Sequence, residues 1–138
     1  MNLVVKHVPV SLVHRLWPVI KPFIADAAKK DGGTEYTVDQ IKLLVANGSW
    51  LLLVAADDEQ TIHGAATVNF INYPNERIAF VTAIGGKLIT NENTFAQLQE
   101  VCRANGATKI QGLARESIAR LWHKFGFSQR AIMVEYTL

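Results

Sequence analysis

The sequence predicts a mixed α/β (α+β) fold: a single domain on a mixed, mostly antiparallel sheet of six to seven strands with helices on both faces. Three observations carry this expectation. Residues 49–84 read as three successive strands separated by short polar turns, the pattern of an antiparallel meander. Residues 11–27 and 37–46 place apolar side chains at helical spacing ahead of that meander, and residues 91–138 then alternate helical and strand periods. The expected order is β-α-α-β-β-β-α-β-α-β, and strand–helix alternation of this kind covers a sheet on both sides.

A chain of 138 residues can bury a core without metal or disulfide support. Its 49% hydrophobic and 19% charged residues are those of an ordinary globular protein rather than a disordered one. The one cysteine, Cys102, falls on a helix face with Phe95 and Leu98 and reads as a buried thiol. The longest apolar run, 50–56, is far too short to span a bilayer. No secretory signal is read at the start, so the expectation is a cytoplasmic protein without a membrane partner. Charge is uneven. Residues 1–76 hold six Lys and Arg against eight Asp and Glu, whereas residues 77–138 hold eight against four. The basic half suits a phosphate-bearing ligand or nucleic acid, and equally a solvated face.

Each element has its own signal. Residues 3–8 form a short first strand closed by Pro9. Leu12, Leu16, Trp17, Ile20, Phe23, Ile24 and Ala27 make one helical stripe, with Pro18 and Pro22 on the opposite face, so a kink or two shorter helices are expected. Asp31-Gly32-Gly33 reads as a loop. Thr37 and Gln40 have capping-box spacing ahead of Ile41, Leu44 and Val45, and Asn47-Gly48 stops that helix. Residues 49–56 are apolar on both faces, as in a central strand. In 61–73, Ile62, Gly64, Ala66, Val68 and Phe70 make a core side opposite a mixed face of His63, Ala65, Thr67, Asn69, Ile71 and Tyr73. A turn at Tyr73-Pro74-Asn75-Glu76 leads into a buried strand over 77–84, which ends at Gly85-Gly86-Lys87, where the chain can bend or approach a ligand closely. Thr94 and Gln97 repeat the capping-box spacing, and the helix they begin stops at Asn105-Gly106.

The last third ties these together. Residues 108–114 read as a short buried strand, and 115–125 place Ile118, Leu121, Trp122 and Phe125 on one helical face. Gly126 supplies the left-handed stop, and Phe127 folds back on the last turn. Residues 131–138 alternate Ile132, Val134, Tyr136 and Leu138 against Ala131, Met133, Glu135 and Thr137, the pattern of a closing strand.

Strand, helix, Gly-Phe and closing strand, preceded by the whole element order, resemble the Gcn5-related N-acetyltransferase superfamily. That family often reads A-x-x-L-Y-x-K-x-G-F here. In Ala119–Phe127, Leu121, Lys124, Gly126 and Phe127 fit, the alanine is one residue nearer, and Trp122 replaces the tyrosine. Trp17-Pro18-Val19-Ile20, the stretch from Gly48 to Ala55 and the spacing of Gly64, Phe70, Tyr73 and Pro74 further resemble small acetyltransferase-like proteins of bacteriophages. The resemblance implies a fold in which the fourth and fifth strands part around an acyl-CoA. It implies acetyl-CoA as co-substrate and an amine acceptor shaped by the first two helices. By analogy, Val81, Thr82, Ala83 and Ile84 hold the pantetheine arm.

The family's glycine-rich pyrophosphate loop falls on Thr90-Asn91-Glu92-Asn93-Thr94-Phe95, which has no glycine and no arginine and adds Glu92. Asn91, Asn93 and Thr94 at the helix start, and Gly85, Gly86 and Lys87 just before it, are the substitute phosphate contacts. The family's acid is the tyrosine replaced by Trp122, whose indole cannot serve as the acid. His63 and Tyr73, on the mixed strand face, are the catalytic candidates, ahead of His123 and Tyr136. Each also has an ordinary reading: a strand-face and a surface histidine, a turn and a core tyrosine. The four histidines lack metal-ligand spacing, so no metal is expected.

Two functional readings stand together: acetyl transfer from acetyl-CoA to an amine, and a catalytically inactive scaffold serving as an interaction or phage virion-associated protein. Expected partners are the acyl-CoA and its acceptor, with a homodimer or a phage structural protein on the second reading. The location is then the host cytoplasm or the virion. A weaker reading takes Lys109, Arg115, Arg120, Lys124 and Arg130 as a nucleic-acid patch.

Overall fold

The computed structural model describes residues 2–30 and 35–138, except the side chains of residues 28–30. The loop expected at Asp31-Gly32-Gly33 lies outside them. Nine elements follow in order: β1 (Val4–His7), α1 (Val10–Lys30), α2 (Val38–Ala46), β2 (Leu51–Ala56), β3 (Ile62–Asn72), β4 (Arg77–Gly86), α3 (Glu92–Ala104), β5 (Lys109–Gly112) and α4 (Glu116–His123). The strands make one sheet in the order β1-β2-β3-β4-β5. Its first three pairings are antiparallel and the last, β4 with β5, is parallel. No described helix is long and apolar enough to cross a membrane.

Both sheet faces are buried. On one, Leu53, Ala55, Ala66, Val68, Ala79 and Val81 pack against Leu98 and Cys102 of α3 and Trp122 of α4. On the other, Leu52, Val54, Ala65 and Ala83 pack against Val13, Trp17, Ile20 and Ile24 of α1 and Ile41 and Val45 of α2. The mixed face of β3 is buried at its middle, where Ala65 and Thr67 lie beneath α1, half-buried at His63, Asn69 and Ile71, and exposed at Tyr73. A register shift between Ala55 and Ala56 also puts Ile62 on the α1 side, away from Ala66 and Val68.

Helix α1 runs unbroken through Pro18 and Pro22 rather than splitting in two. Both prolines are exposed. The carbonyls that lose their N–H partners therefore face water, which satisfies them, while the apolar stripe stays continuous. Helix α2 begins as the sequence indicates: Thr37 accepts from the Gln40 N–H at 3.2 Å, and the Gln40 side chain accepts from the Thr37 N–H at 2.9 Å. Helix α3 does not use the Thr94–Gln97 pair. Asn91 is its cap, accepting from the Thr94 N–H at 2.9 Å. Gln97 instead bridges to β1, accepting from the Val5 N–H at 2.8 Å and donating to the Leu3 carbonyl at 2.9 Å. A half-buried side-chain amide thus supplies hydrogen bonds to an outer strand and fixes α3 on the sheet.

Gly126 has φ +99° after α4, and the Phe127 N–H donates to the Trp122 carbonyl at 3.3 Å, as the expected stop requires. Phe127 then packs on Trp122 with ring centroids 5.1 Å apart. The closing strand is the main difference. Among the described residues five strands form, not six or seven, because residues 131–138 join no ladder there and Ile132, Val134 and Tyr136 are 78, 87 and 86% exposed. Alternation fits a segment to a sheet but does not supply the neighbouring ladder that a strand needs.

Where α1 crosses the end of β4 there is no room for a side chain. A Cβ on Gly85 would lie 2.2 Å from the Phe23 carbonyl oxygen. Gly85→Ala should therefore lower stability by about 1–3 kcal/mol through forced backbone movement, read as a fall in the urea midpoint. An unchanged midpoint would show that α1 does not seat there.

Candidate functional site

The last two strands of the sheet part company. Pairing of β4 with β5 covers Ile78 to Val81 and ends at Val81–Gly112. Strand β4 continues to Gly86, still paired with β3 as far as Gly64. From Thr82 to Gly86 its second edge therefore has no strand beside it. A β-bulge sits at the point of parting: Thr67 pairs with Ala83 and Val68 with Val81, which leaves Thr82 as the extra residue. Its hydroxyl lies 2.7 Å from the Thr67 hydroxyl and donates to the Thr67 carbonyl at 3.1 Å. The half-buried Thr82 hydroxyl thus satisfies a carbonyl that the ladder would otherwise use. Bulges bend and twist a strand, and this one turns β4 away from β5.

The opening is a cleft of about 180 Å³. Val81 to Gly86 form one wall. Leu113 and Arg115, after β5, and Ile118, Leu121 and Trp122 of α4 form the other, with Asp26 and Ala27 of α1 and Ile89 completing it. At roughly 30 Å³ per water in the liquid, the space holds about six waters. It suits a narrow thioester arm, not a whole nucleotide cofactor. Trp122 is 7% exposed and packs under Gly112, where a Cβ would lie 3.2 Å from its ring. The tryptophan forms the apolar floor and leaves the cleft open.

Gly85 and Gly86 serve packing as well as turning. A Cβ on Gly86, at φ +67°, would meet the His63 carbonyl at 2.4 Å and the Phe23 ring at 2.7 Å. They let α1 and β3 close on the end of β4, and they leave its backbone bare toward the cleft. Val81, Ala83 and Ile84, expected at the pantetheine arm, line the cleft with them, and so does Thr82, whose hydroxyl is already engaged.

The catalytic candidates do not join this group. His63 turns its ring to Asp57, with Nε2 2.8 Å from Oδ2. Asp57 also accepts from the N–H groups of Glu59 and Thr61 at 2.9 and 3.0 Å, so the pair fastens the β2–β3 hairpin. The bond to His63 first, then those amides, hold the Asp57 carboxyl below its ordinary pKa. Tyr73 sits in the β3–β4 turn, its N–H donating to Glu76, at the opposite end of β4 from Gly86. At about 3.3 Å per strand residue this is some 30 Å away.

At the start of α3, the expected phosphate seat is largely filled from within. Asn91 occupies the Thr94 N–H, and the Thr94 hydroxyl is fully buried and donates to the Asn91 carbonyl at 3.2 Å. Asn93 is exposed beside Glu92, and Leu88 and Ile89, before the helix, are buried in the core. Lys87 remains as an exposed cation next to Gly86.

Sequence reasoning missed Asp26 and Arg115 as cleft residues. Asp26 lies one residue before Ala27 on the flank of the α1 stripe, where a carboxylate looks like any solvated charge. Arg115 reads as part of a basic patch until the parting of β4 and β5 puts it at the mouth. Leu113, expected to be buried, is 53% exposed there. It contributes apolar surface that only an occupant would cover. No group of three or more His, Cys, Asp or Glu poised for a metal occurs among the described residues.

No protein-family model matches the sequence, and no curated protein is similar to it. The fold is that of acetyltransferases. An aminoglycoside acetyltransferase from an uncultured soil metagenomic sample, crystallised with sisomicin, superposes with a TM-score of 0.68 at 9% identity, covering 99% of this chain and 96% of that one. A predicted acetyltransferase from Clostridium acetobutylicum, crystallised with acetyl-CoA, gives 0.65 at 14% identity over 99% and 96%. An acetyltransferase from Trypanosoma brucei gives 0.60 at 11% identity over 99% and 100%.

The hairpin clasp has a pH signature. A carboxyl whose pKa is lowered by folding contributes stability above its unfolded pKa, and that contribution is lost as pH falls through the folded pKa. Urea midpoints of the protein and of Asp57→Asn should therefore coincide in strong acid and separate as pH rises through the carboxylate range, the variant being the less stable. Equal midpoints at neutral pH would remove Asp57 from the hairpin's support.

Proposed function

We propose that this chain binds an acyl-CoA, with acetyl-CoA the first candidate, along the parted edge of β4 and transfers the acetyl group to a primary amine. The observation that supports the reading is the unpaired backbone from Thr82 to Gly86, open to a cleft in an acetyltransferase fold. The thioester supplies the activated acetyl group. The free N–H and C=O groups of β4 bind the amides of the pantetheine arm as they would bind an added strand. Ile118, Leu121 and Trp122 exclude water from the reacting end.

On this reading Asp26, which lines the cleft from α1, takes the amine proton as the C–N bond forms and the C–S bond breaks. The thiolate takes its proton from solvent, since the Trp122 indole N–H is too weak an acid to supply it. Arg115 and Lys87 are the cations placed for phosphates beyond the cleft. Holding amine and acyl carbon in line supplies much of the acceleration in such a reaction. Amino sugars are the first acceptors to test, because a similar enzyme was crystallised with sisomicin.

A second reading rests on the start of α3. With the Asn91 cap occupying the Thr94 amide, Glu92 adding negative charge and Leu88 and Ile89 buried, a scaffold that holds no acyl-CoA and meets a protein partner fits that corner of the molecule.

Calorimetry and thermal melting with acetyl-CoA separate the two. On the first reading the melting temperature rises with ligand concentration, because binding to the native state alone stabilises it. Amine-dependent release of CoA follows, and Asp26→Asn lowers kcat by about 100-fold while leaving the acetyl-CoA Kd unchanged. Neither heat nor a shift at millimolar acetyl-CoA would overturn that reading and leave the interaction protein.

A further inference from the structure

An arm laid along the released edge of β4 has two unlike ends. Lys87 and Arg115, both exposed, mark the outer one, where phosphates meet cations. The inner end points to Val81, whose pairing with Gly112 is the last between β4 and β5 and closes the opening. Trp122 lies at that apex. A Cβ on Gly112 would stand 3.2 Å from its Cζ3 and 3.6 Å from its Cη2, so the far edge of the indole rests on the closing residue itself.

The other apolar walls can yield. Leu113 and Leu121 are 53 and 42% exposed, and a leucine with water beside it changes rotamer freely. Trp122 has no such freedom. It is buried, its ring packs on that of Phe127 at 5.1 Å, and Phe127 packs in turn on Phe95 at 5.3 Å. The Phe127 N–H also donates to the Trp122 carbonyl at 3.3 Å, which ties the two rings through the backbone. A side chain wedged in this way moves only if its neighbours move, and close-packed interiors resist an added methylene for that reason.

We propose that Trp122 sets the length of the acyl chain, admitting the two-carbon acetyl group and turning longer chains away. The inference rests on the acyl-CoA reading of the cleft and deepens it, naming the residue that selects the donor. The methyl carbon of the acetyl group ends against the edge of the indole. A propionyl group needs room for one carbon more, close to the roughly 30 Å³ that a water occupies, in a cleft of about 180 Å³ already threaded by the arm. That room is where the ring stands. Trp122 acts by shape alone, and an apolar wall of this kind discriminates by about 10-fold or more per methylene.

Calorimetric titration with CoA, acetyl-CoA, propionyl-CoA and butyryl-CoA tests the assignment. The protein is compared with Trp122→Phe, which withdraws the Cζ3–Cη2 edge, and with Trp122→Met, whose flexible side chain fills the core differently. In the unaltered protein Kd should rise about 10-fold from acetyl- to propionyl-CoA, and again to butyryl-CoA. In a folded variant the rise should flatten. Lost stability would weaken all the ligands together, so the ratio among them reads the fit of the acyl chain and not the health of the fold. Equal affinity for the three acyl-CoAs in the unaltered protein overturns the proposal and leaves the acyl-CoA reading standing. An undiminished preference in a folded variant does the same, by placing the limit on another wall. If neither variant folds, the series in the unaltered protein decides. Binding of none of the ligands at millimolar concentration overturns the acyl-CoA reading and this proposal with it.

Discussion

The molecule is organised by an unequal division of hydrogen bonds along β4. Its β3 edge is bonded from Asn72–Arg77 to Gly64–Gly86, whereas its β5 edge is bonded only as far as Val81. A strand held rigidly on one side and released on the other is a prepared receptor for an extended ligand, because the ordering cost of that backbone is met by folding. The bulge at Thr82 makes the release compatible with an intact β3 ladder, and the Thr67–Thr82 hydroxyl pair keeps the bulge from leaving an unsatisfied carbonyl.

Packing on the two faces follows from that division. Helix α1 crosses the released end of β4 so closely that Gly85 and Gly86 tolerate no side chain, which brings the Asp26 turn to the cleft. Helices α3 and α4 cover the other face, with Gln97 fixing α3 to β1 and the Phe127 fold-back fixing the end of α4. Trp122 lies where these constraints meet. It is core to the sheet, packed under Gly112, and floor to the cleft. The same bulk that removes a proton donor from the site makes its wall apolar.

Local signals in the sequence carried through where one side chain meets a backbone a few residues away. The Thr37–Gln40 box, the Gly126 stop and the meander turns are of that kind. The Thr94–Gln97 spacing carried the same letters but lost to tertiary demand: Asn91 is a competent cap one turn earlier, and β1 had backbone groups to satisfy. The prolines of α1 gave a correct face and an incorrect break, since a proline removes a bond without forcing an end when water takes the orphaned carbonyl. Among site residues, the cleft-lining β4 segment followed from element order and resemblance. Asp26 did not, because its place depends on how α1 crosses a strand some sixty residues away in sequence. His63 and Tyr73 share a strand face in the sequence pattern, but the Asp57 clasp takes one and strand length separates the other. The 131–138 alternation was legible as a strand, but its partner was not, because pairing is a property of two segments.

Hydrogen exchange read amide by amide along β4, with and without acetyl-CoA, bears most directly on the parting of the strands. Amides bonded to β3 and those from Ile78 to Val81 should be protected in both states. Between Thr82 and Gly86, the amides on the β5 side should exchange rapidly in the free protein and slow when acetyl-CoA is added. Protection on that side through Gly86 in the free protein, or no slowing there at saturating acetyl-CoA, would contradict the claim that β4 is left open to receive a thioester.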